Sequence, residues 1–145
     1  MKNIWPFFSI MAFGIAGCEV EVDPNAFFPQ DYETSLAQVG ACRASSTHSD
    51  PYYTLHITKT SADAFNAKMA LPEGTVLVKT QYDDNTCADF SRWTVMKKRE
   101  AGFDTDNFDW EWQNVDGEGE IAETGKLGYC ATCHKPCPSG VCSMP

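Results

Sequence analysis

Residues 127–142 read LGYCATCHKPCPSGVC and hold four of the seven cysteines and one of the three histidines. Inside this stretch Cys130-Ala131-Thr132-Cys133-His134 has the spacing Cys-x-x-Cys-His. Two thiols three residues apart on a helix lie on one side of it. There each can form a thioether with a porphyrin vinyl group, while the adjacent imidazole sits beneath the metal. The pattern points to covalent haem c, with Cys130 and Cys133 as attachment points and His134 as axial iron ligand. Two other chemistries use paired thiols. A structural zinc site wants a second ligand pair at matching spacing, and Cys137 and Cys142 have no further histidine beside them. A thiol-redox site wants its Cys-x-x-Cys at a helix start in a βαβ setting, whereas twelve residues follow Cys133 here.

The compartment decides what the other thiols do. The chain opens MKNIWPFFSIMAFGIAGC, with Lys2 ahead of an apolar run that continues to Ala16. A mature spanning helix needs about 20 apolar residues; this shorter run has the build of a secretory signal. Ile15-Ala16-Gly17-Cys18 is similar to the lipobox of bacterial lipoproteins, in which the cysteine is acylated and becomes the new N-terminus. Residues 1–17 are thus expected to be a signal peptide, Cys18 a lipidation site, and residues 18–30 a tether broken by Pro24 and Pro29. The expected location is the periplasmic face of a bacterial membrane, most simply the outer one, with the lipid as the membrane contact. In an oxidising compartment the remaining cysteines pair. Cys42, Cys87, Cys137 and Cys142 allow three connectivities, of which Cys42–Cys87 with Cys137–Cys142 is favoured.

The elements that must position this chemistry come from residues 31–145, enough for one domain with a modest core. Of the whole chain 43% is hydrophobic and 12% aromatic, as in globular proteins, and its net charge of −9 argues against a nucleic-acid partner. A short helical pattern runs from Tyr32 to Val39. YYTLHITK (52–59) alternates, with Tyr53, Leu55 and Ile57 on one face, and predicts a strand. TSADAFNAKM follows with Thr60 or Ser61 as N-cap and predicts a helix ending before Pro72. GTVLVKTQY (74–82), SRWTVMKK (91–98) and FDWEWQNV (108–115) predict further strands, separated by turn-forming YDDNTC, EAGFDTDN and VDGEGE. Strands at hairpin distances with one or two helices imply an α+β domain built on an antiparallel, roughly five-stranded sheet, closed by a C-terminal haem-attachment helix.

A strand-rich body ahead of a C-terminal Cys-x-x-Cys-His resembles the cytochrome P460 family, which includes the β-sheet relatives of cytochrome c′. In helical electron-transfer cytochromes the motif lies early and a methionine far downstream completes the ligation; here only Met144 follows. The resemblance rests on YYTLHITKTSADAFNA, LPEGTVLVKTQY, WTVMKKREAGF, DWEWQNVDGEG and CATCH, in that order. It implies a homodimer, a redox partner protein, and a haem iron with one protein ligand and an open distal side for a small molecule. It also implies redox chemistry on hydroxylamine or nitric oxide, the alternative being a non-catalytic nitric oxide binder or electron carrier.

In the P460 enzymes of this family the lysine of a GTVxVK strand is joined covalently to the porphyrin edge, and Lys79 holds that position in GTVLVK. On its strand Lys79 shares a face with Thr75 and Leu77, opposite Val76 and Val78. Hydroxylamine-oxidising members carry a distal carboxylate. Along SRWTVMKK there is none; Trp93 lies nearest, and Asp89 and Glu100 flank the strand. Trp93, Met96 and His56 are the candidate distal-pocket residues, while His48 reads as a loop residue that could reach the distal side. Asp104, Asp106 and Asp109 lack the glycine and glutamate of a calcium loop and read as a solvated turn.

Overall fold

The computed structural model describes residues 26–45 and 48–145. The expected signal peptide, the lipidation site Cys18 and most of the expected tether lie outside the described residues. Among the described residues no helix is long and apolar enough to cross a membrane.

The alternating segments form the expected strands. Two-residue strands β1 (Ala37–Gln38) and β2 (Arg43–Ala44) pair with β3 (Tyr52–Ile57), and the sheet continues through β4 (Val76–Tyr82), β5 (Phe90–Lys98), β6 (Trp110–Val115) and β7 (Ile121–Gly125). Every pairing is antiparallel. Three short helices complete the α+β domain: α1 (Tyr32–Ser35), α2 (Ala62–Asn66) and α3 (Gly128–His134). The last of them carries the Cys-x-x-Cys-His motif.

Two departures from the sequence expectation have local causes. The strand β7 lies in a stretch to which the sequence pattern assigns no element, because IAETG has too few apolar residues to show a period; its pairing with β6 supplies the order. The helix after Thr60 is shorter than its composition suggests. Lys68 takes a left-handed φ of 57°, and the amides of Lys68 and Met69 donate back to the carbonyls of Phe65 and Ala64. That reciprocal pattern is a Schellman stop, which satisfies the end carbonyls and turns the chain out of the helix.

Each face of the sheet has its own core. On one side Tyr53, Leu55, Ile57, Leu77, Met96, Trp110 and Trp112 pack with Phe65, Leu71 and Val141, and Cys130 of α3 lies against them. On the other, Val78, Val95 and Val115 pack with Phe28 and Tyr32, edged by Trp93 and Ile121. The last residues of the expected tether are therefore part of the fold: Phe28 is buried, and the Phe27 amide donates to Gln113 Oε1 at 3.2 Å.

Two disulfides staple the domain, Cys42–Cys87 and Cys137–Cys142. The first ties the segment between β1 and β3 to the β4–β5 turn across 45 residues of sequence. Closing a loop of that length removes chain entropy from the unfolded state. Replacing Cys42 and Cys87 together by serine is expected to lower stability by about 4 kcal/mol, read from the denaturant midpoint.

Candidate functional site

The pleat and the register decide which side chains reach α3. On the first face of the sheet, antiparallel pairing lines up Leu55 with Lys79 and Thr94, then Thr94 with Asn114. A second row runs Tyr53, Gln81, Arg92, and a third runs Ile57, Leu77, Met96, Trp112. Most of these residues form the floor of a cavity of about 560 Å³, a size suited to a cofactor, for which about 300–1,000 Å³ is usual. Its opposite wall is α3 and the segment after it, with Tyr129, Cys130, Cys133, His134 and Val141–Ser143. A third side is the loop leading into β3, with Ala44, Ser45, His48 and Ser49.

The proximal wall is ordered by the loop that follows α3. His134 Nδ1 lies 2.9 Å from the Gly140 carbonyl oxygen, so with that nitrogen protonated and donating, Nε2 is the ring nitrogen left for a metal. Gly140 has φ +76°, and a Cβ there would come within 3.0 Å of Phe108 and Trp110. Trp110 in turn donates from Nε1 to the Ser139 carbonyl at 2.8 Å, and Cys137–Cys142 closes the same loop. Trp112 packs edge-on to the His134 ring with centroids 4.6 Å apart. Burial, reinforced by the nearby charge of Lys79, pushes the His134 imidazole below its ordinary pKa against the opposing Gly140 contact. It is therefore neutral near pH 7, the form that binds metals.

Lys79 enters the same cavity from the sheet. Its Nζ donates to Ser45 Oγ at 3.2 Å and sits 4.3 Å from the centre of the Tyr53 ring. Burial lowers its pKa to about 8, the Arg43 charge adding to the effect and Asp50 opposing it. His48 is lowered to about 4, first by burial and then by the charges of Lys79 and His134. Neighbouring Asp50 is buried and fully engaged: Oδ2 accepts from Arg92 Nε and Nη2 at 2.8 and 2.6 Å, and Oδ1 from Ser91 at 2.8 Å.

The donor set fits haem c. Among the described cysteines only Cys130 and Cys133 are unpaired, and both line the cavity at the i, i+3 spacing of one helix face. Burial raises the Cys130 thiol above its ordinary pKa. Trp112 Nε1 is buried at the cavity wall without a hydrogen-bond partner among the described residues, as expected of a wall that another group covers. Cys130 and Cys133 would hold the porphyrin, and His134 would bind its iron.

A scan against protein-family profiles matches residues 29–139, most of the chain, to Cytochrome P460. The chain belongs to the cytochrome P460 family. Comparison with the curated proteins finds no match. Cytochrome P460 proteins bind c-type haem with its iron, so the cofactor is haem c and the protein is a haem protein with a place for a small-molecule ligand.

Two of the distal positions expected from sequence are corrected by the cytochrome P460 sheet. Trp93 pairs with Thr80 and Val115 and faces the second core, with its ring against Phe28 and Phe90. His56 pairs with Val78 and lies edge-on to Tyr32 on that same side. Neither lines the cavity. Met96 does, three residues after Trp93 and hence on the opposite face. The side chains of β5 that face α3 are Arg92, Thr94 and Met96, so this strand brings no carboxylate to the cavity. Acids reach its rim from elsewhere: Asp116 and Glu123 line it, and Glu123 accepts from Asn114 Nδ2 at 2.8 Å and from the Tyr129 hydroxyl. Asp89 and Glu100 do not line it. Tyr53, Gln81, Arg92 and Thr94 went unread in the sequence, although the face shared by Lys79 and Leu77 predicts Gln81 directly.

Proposed function

We propose that this cytochrome P460 protein is an exported, lipid-anchored monohaem protein that carries out redox chemistry on a small nitrogen species, hydroxylamine or nitric oxide. The observation that carries the reading is the meeting of Lys79 and the Cys-x-x-Cys-His helix across one cavity. Haem c supplies one-electron chemistry and a coordination position for the small molecule. Around it the chain contributes fixed parts. His134 holds its neutral ring toward the cavity through Gly140, Tyr53 and Leu77 exclude water, and Lys79 presents an amine whose lowered pKa leaves an appreciable neutral fraction near pH 7. A neutral amine carries the lone pair that a bond to a porphyrin edge carbon uses; the C–H and N–H hydrogens would leave as two protons and two electrons, taken up by an external two-electron oxidant of the peroxide class. Electrons would pass to a redox partner protein, with the lipid on Cys18 holding the protein at the periplasmic face and a second copy completing a homodimer.

A non-catalytic nitric oxide binder is favoured by one specific feature, the Arg92, Thr94 and Met96 face of β5 without a carboxylate. Turnover of hydroxylamine needs a proton acceptor within hydrogen-bond reach of the bound molecule. Lys79→Ala separates the two readings. Under the enzyme reading, tryptic digestion of the wild type yields a haem peptide joining residues 130–134 to a Lys79 peptide. The variant then loses that third attachment, its ferrous Soret band returns to that of an ordinary haem c, and hydroxylamine-dependent reduction of an acceptor dye falls by at least about tenfold. An unchanged spectrum, with no third attachment in the wild type, assigns the protein to binding.

A further inference from the structure

His48, which the sequence places where it could reach the distal side, stands edge-on to His134 inside the cavity. The two ring centroids are 6.2 Å apart and their planes stand at 88°. Two imidazoles bound to opposite sides of one metal ion, with metal–nitrogen bonds of about 2 Å and about 1 Å from each nitrogen to its ring centre, have centroids about 6 Å apart. That gap accommodates an iron between the rings and leaves no space for a further diatomic molecule. We propose that His48 is the second axial ligand of the haem iron, so that a small molecule enters only when His48 is displaced. The inference rests on the haem being held by Cys130, Cys133 and His134.

Described residues on either side of His48 are held in place. The Ser45 amide donates to the Pro51 carbonyl at 2.7 Å. Upstream, the Cys42–Cys87 disulfide fixes the chain to the β4–β5 turn; downstream, buried Asp50 is clamped by Ser91 and Arg92. The competing donors are placed differently. Met96 is packed in the core row between Leu77 and Trp112, His56 lies on the far face of the sheet, and Lys79 Nζ is engaged by Ser45 and the Tyr53 ring. The open distal side implied by the family resemblance is in this chain a side that His48 closes and opens.

The test uses the full chain matured with haem, wild type and His48→Leu, each first checked by intact mass for covalent haem. The wild type is expected to give low-spin ferric and ferrous optical spectra and a low-spin electron paramagnetic resonance signal of two imidazoles. His48→Leu is expected to turn high-spin with both thioethers retained, to bind carbon monoxide on the order of tenfold faster or more, and to regain the low-spin spectrum on addition of free imidazole. His56→Gln leaves the wild-type spectrum unchanged. A high-spin wild type, or a low-spin spectrum that survives His48→Leu, overturns the assignment. If His48→Leu fails to fold, His48→Gln takes its place, since glutamine keeps a polar group in the loop and is not a haem ligand. Loss of haem from the wild type would show in the mass and refute the attachment itself, while absence of the Lys79 bond leaves this outcome untouched.

Discussion

Replacing Cys130 and Cys133 together by serine in a Lys79→Ala background, which removes the third attachment proposed above, yields a chain that carries no covalently held haem. The other described cysteines are consumed in Cys42–Cys87 and Cys137–Cys142, so no neighbouring thiol can substitute for the pair. Serine keeps the size and removes the sulfur, and α3 itself should persist, because its hydrogen bonds are backbone contacts such as Ala131 N–H to Leu127 O and Lys135 N–H to Ala131 O. In that background either single variant retains at most one attachment. The readout is colour after acid–acetone extraction: the double variant loses it to the solvent, the wild type keeps it. Retention of colour by the double variant would place the attachment elsewhere.

The second large effect is on stability and on the proximal ligand together. Trp110 has no exposed surface, and truncating such a side chain to alanine costs about 3–5 kcal/mol. It also packs against Gly140 and holds the Ser139 carbonyl, one residue from the carbonyl that orients His134. Trp110→Ala is therefore expected to unfold at markedly lower denaturant and to show a heterogeneous haem spectrum before unfolding. Trp110→Phe keeps most of the buried area and leaves the Ser139 carbonyl without its donor. It is expected to cost about 1–3 kcal/mol and to alter the axial ligation more than its stability loss alone would. A Trp110→Phe spectrum identical to the wild type would show that the 137–142 loop holds His134 without this contact.

Much of this arrangement is legible in the chain because two periods announce it. Alternation in YYTLHI, VLVKTQY and WEWQNV names the strands and their inward faces, and Cys-x-x-Cys-His needs only a helix to bring its three groups to one side. The alternation also carries the information that separates Trp93 from Met96, since positions three apart on a strand face opposite ways; following strand parity strictly puts Arg92, Thr94 and Met96 together. His56 is legible in the same way, one residue off the Leu55 face.

What the chain does not announce is pairing between distant segments. That Leu55 meets Lys79 depends on the register of β3 with β4. That Asp50 meets Arg92, and His48 meets His134, depends on contacts between residues more than 40 apart in the chain. The strand β7 hides for another reason. Ile121–Gly125 is an edge strand without a buried residue, so it has no apolar face to reveal it.

The central claim is that this cytochrome P460 protein holds one haem through the α3 thiols. Intact mass of the denatured full-length product from a host with cytochrome c maturation, followed by peptide mapping, tests it most directly. The account predicts the mass of the chain plus one haem, with the haem mapped to the peptide containing Cys130 and Cys133. The mass of the polypeptide alone from such a host would contradict it.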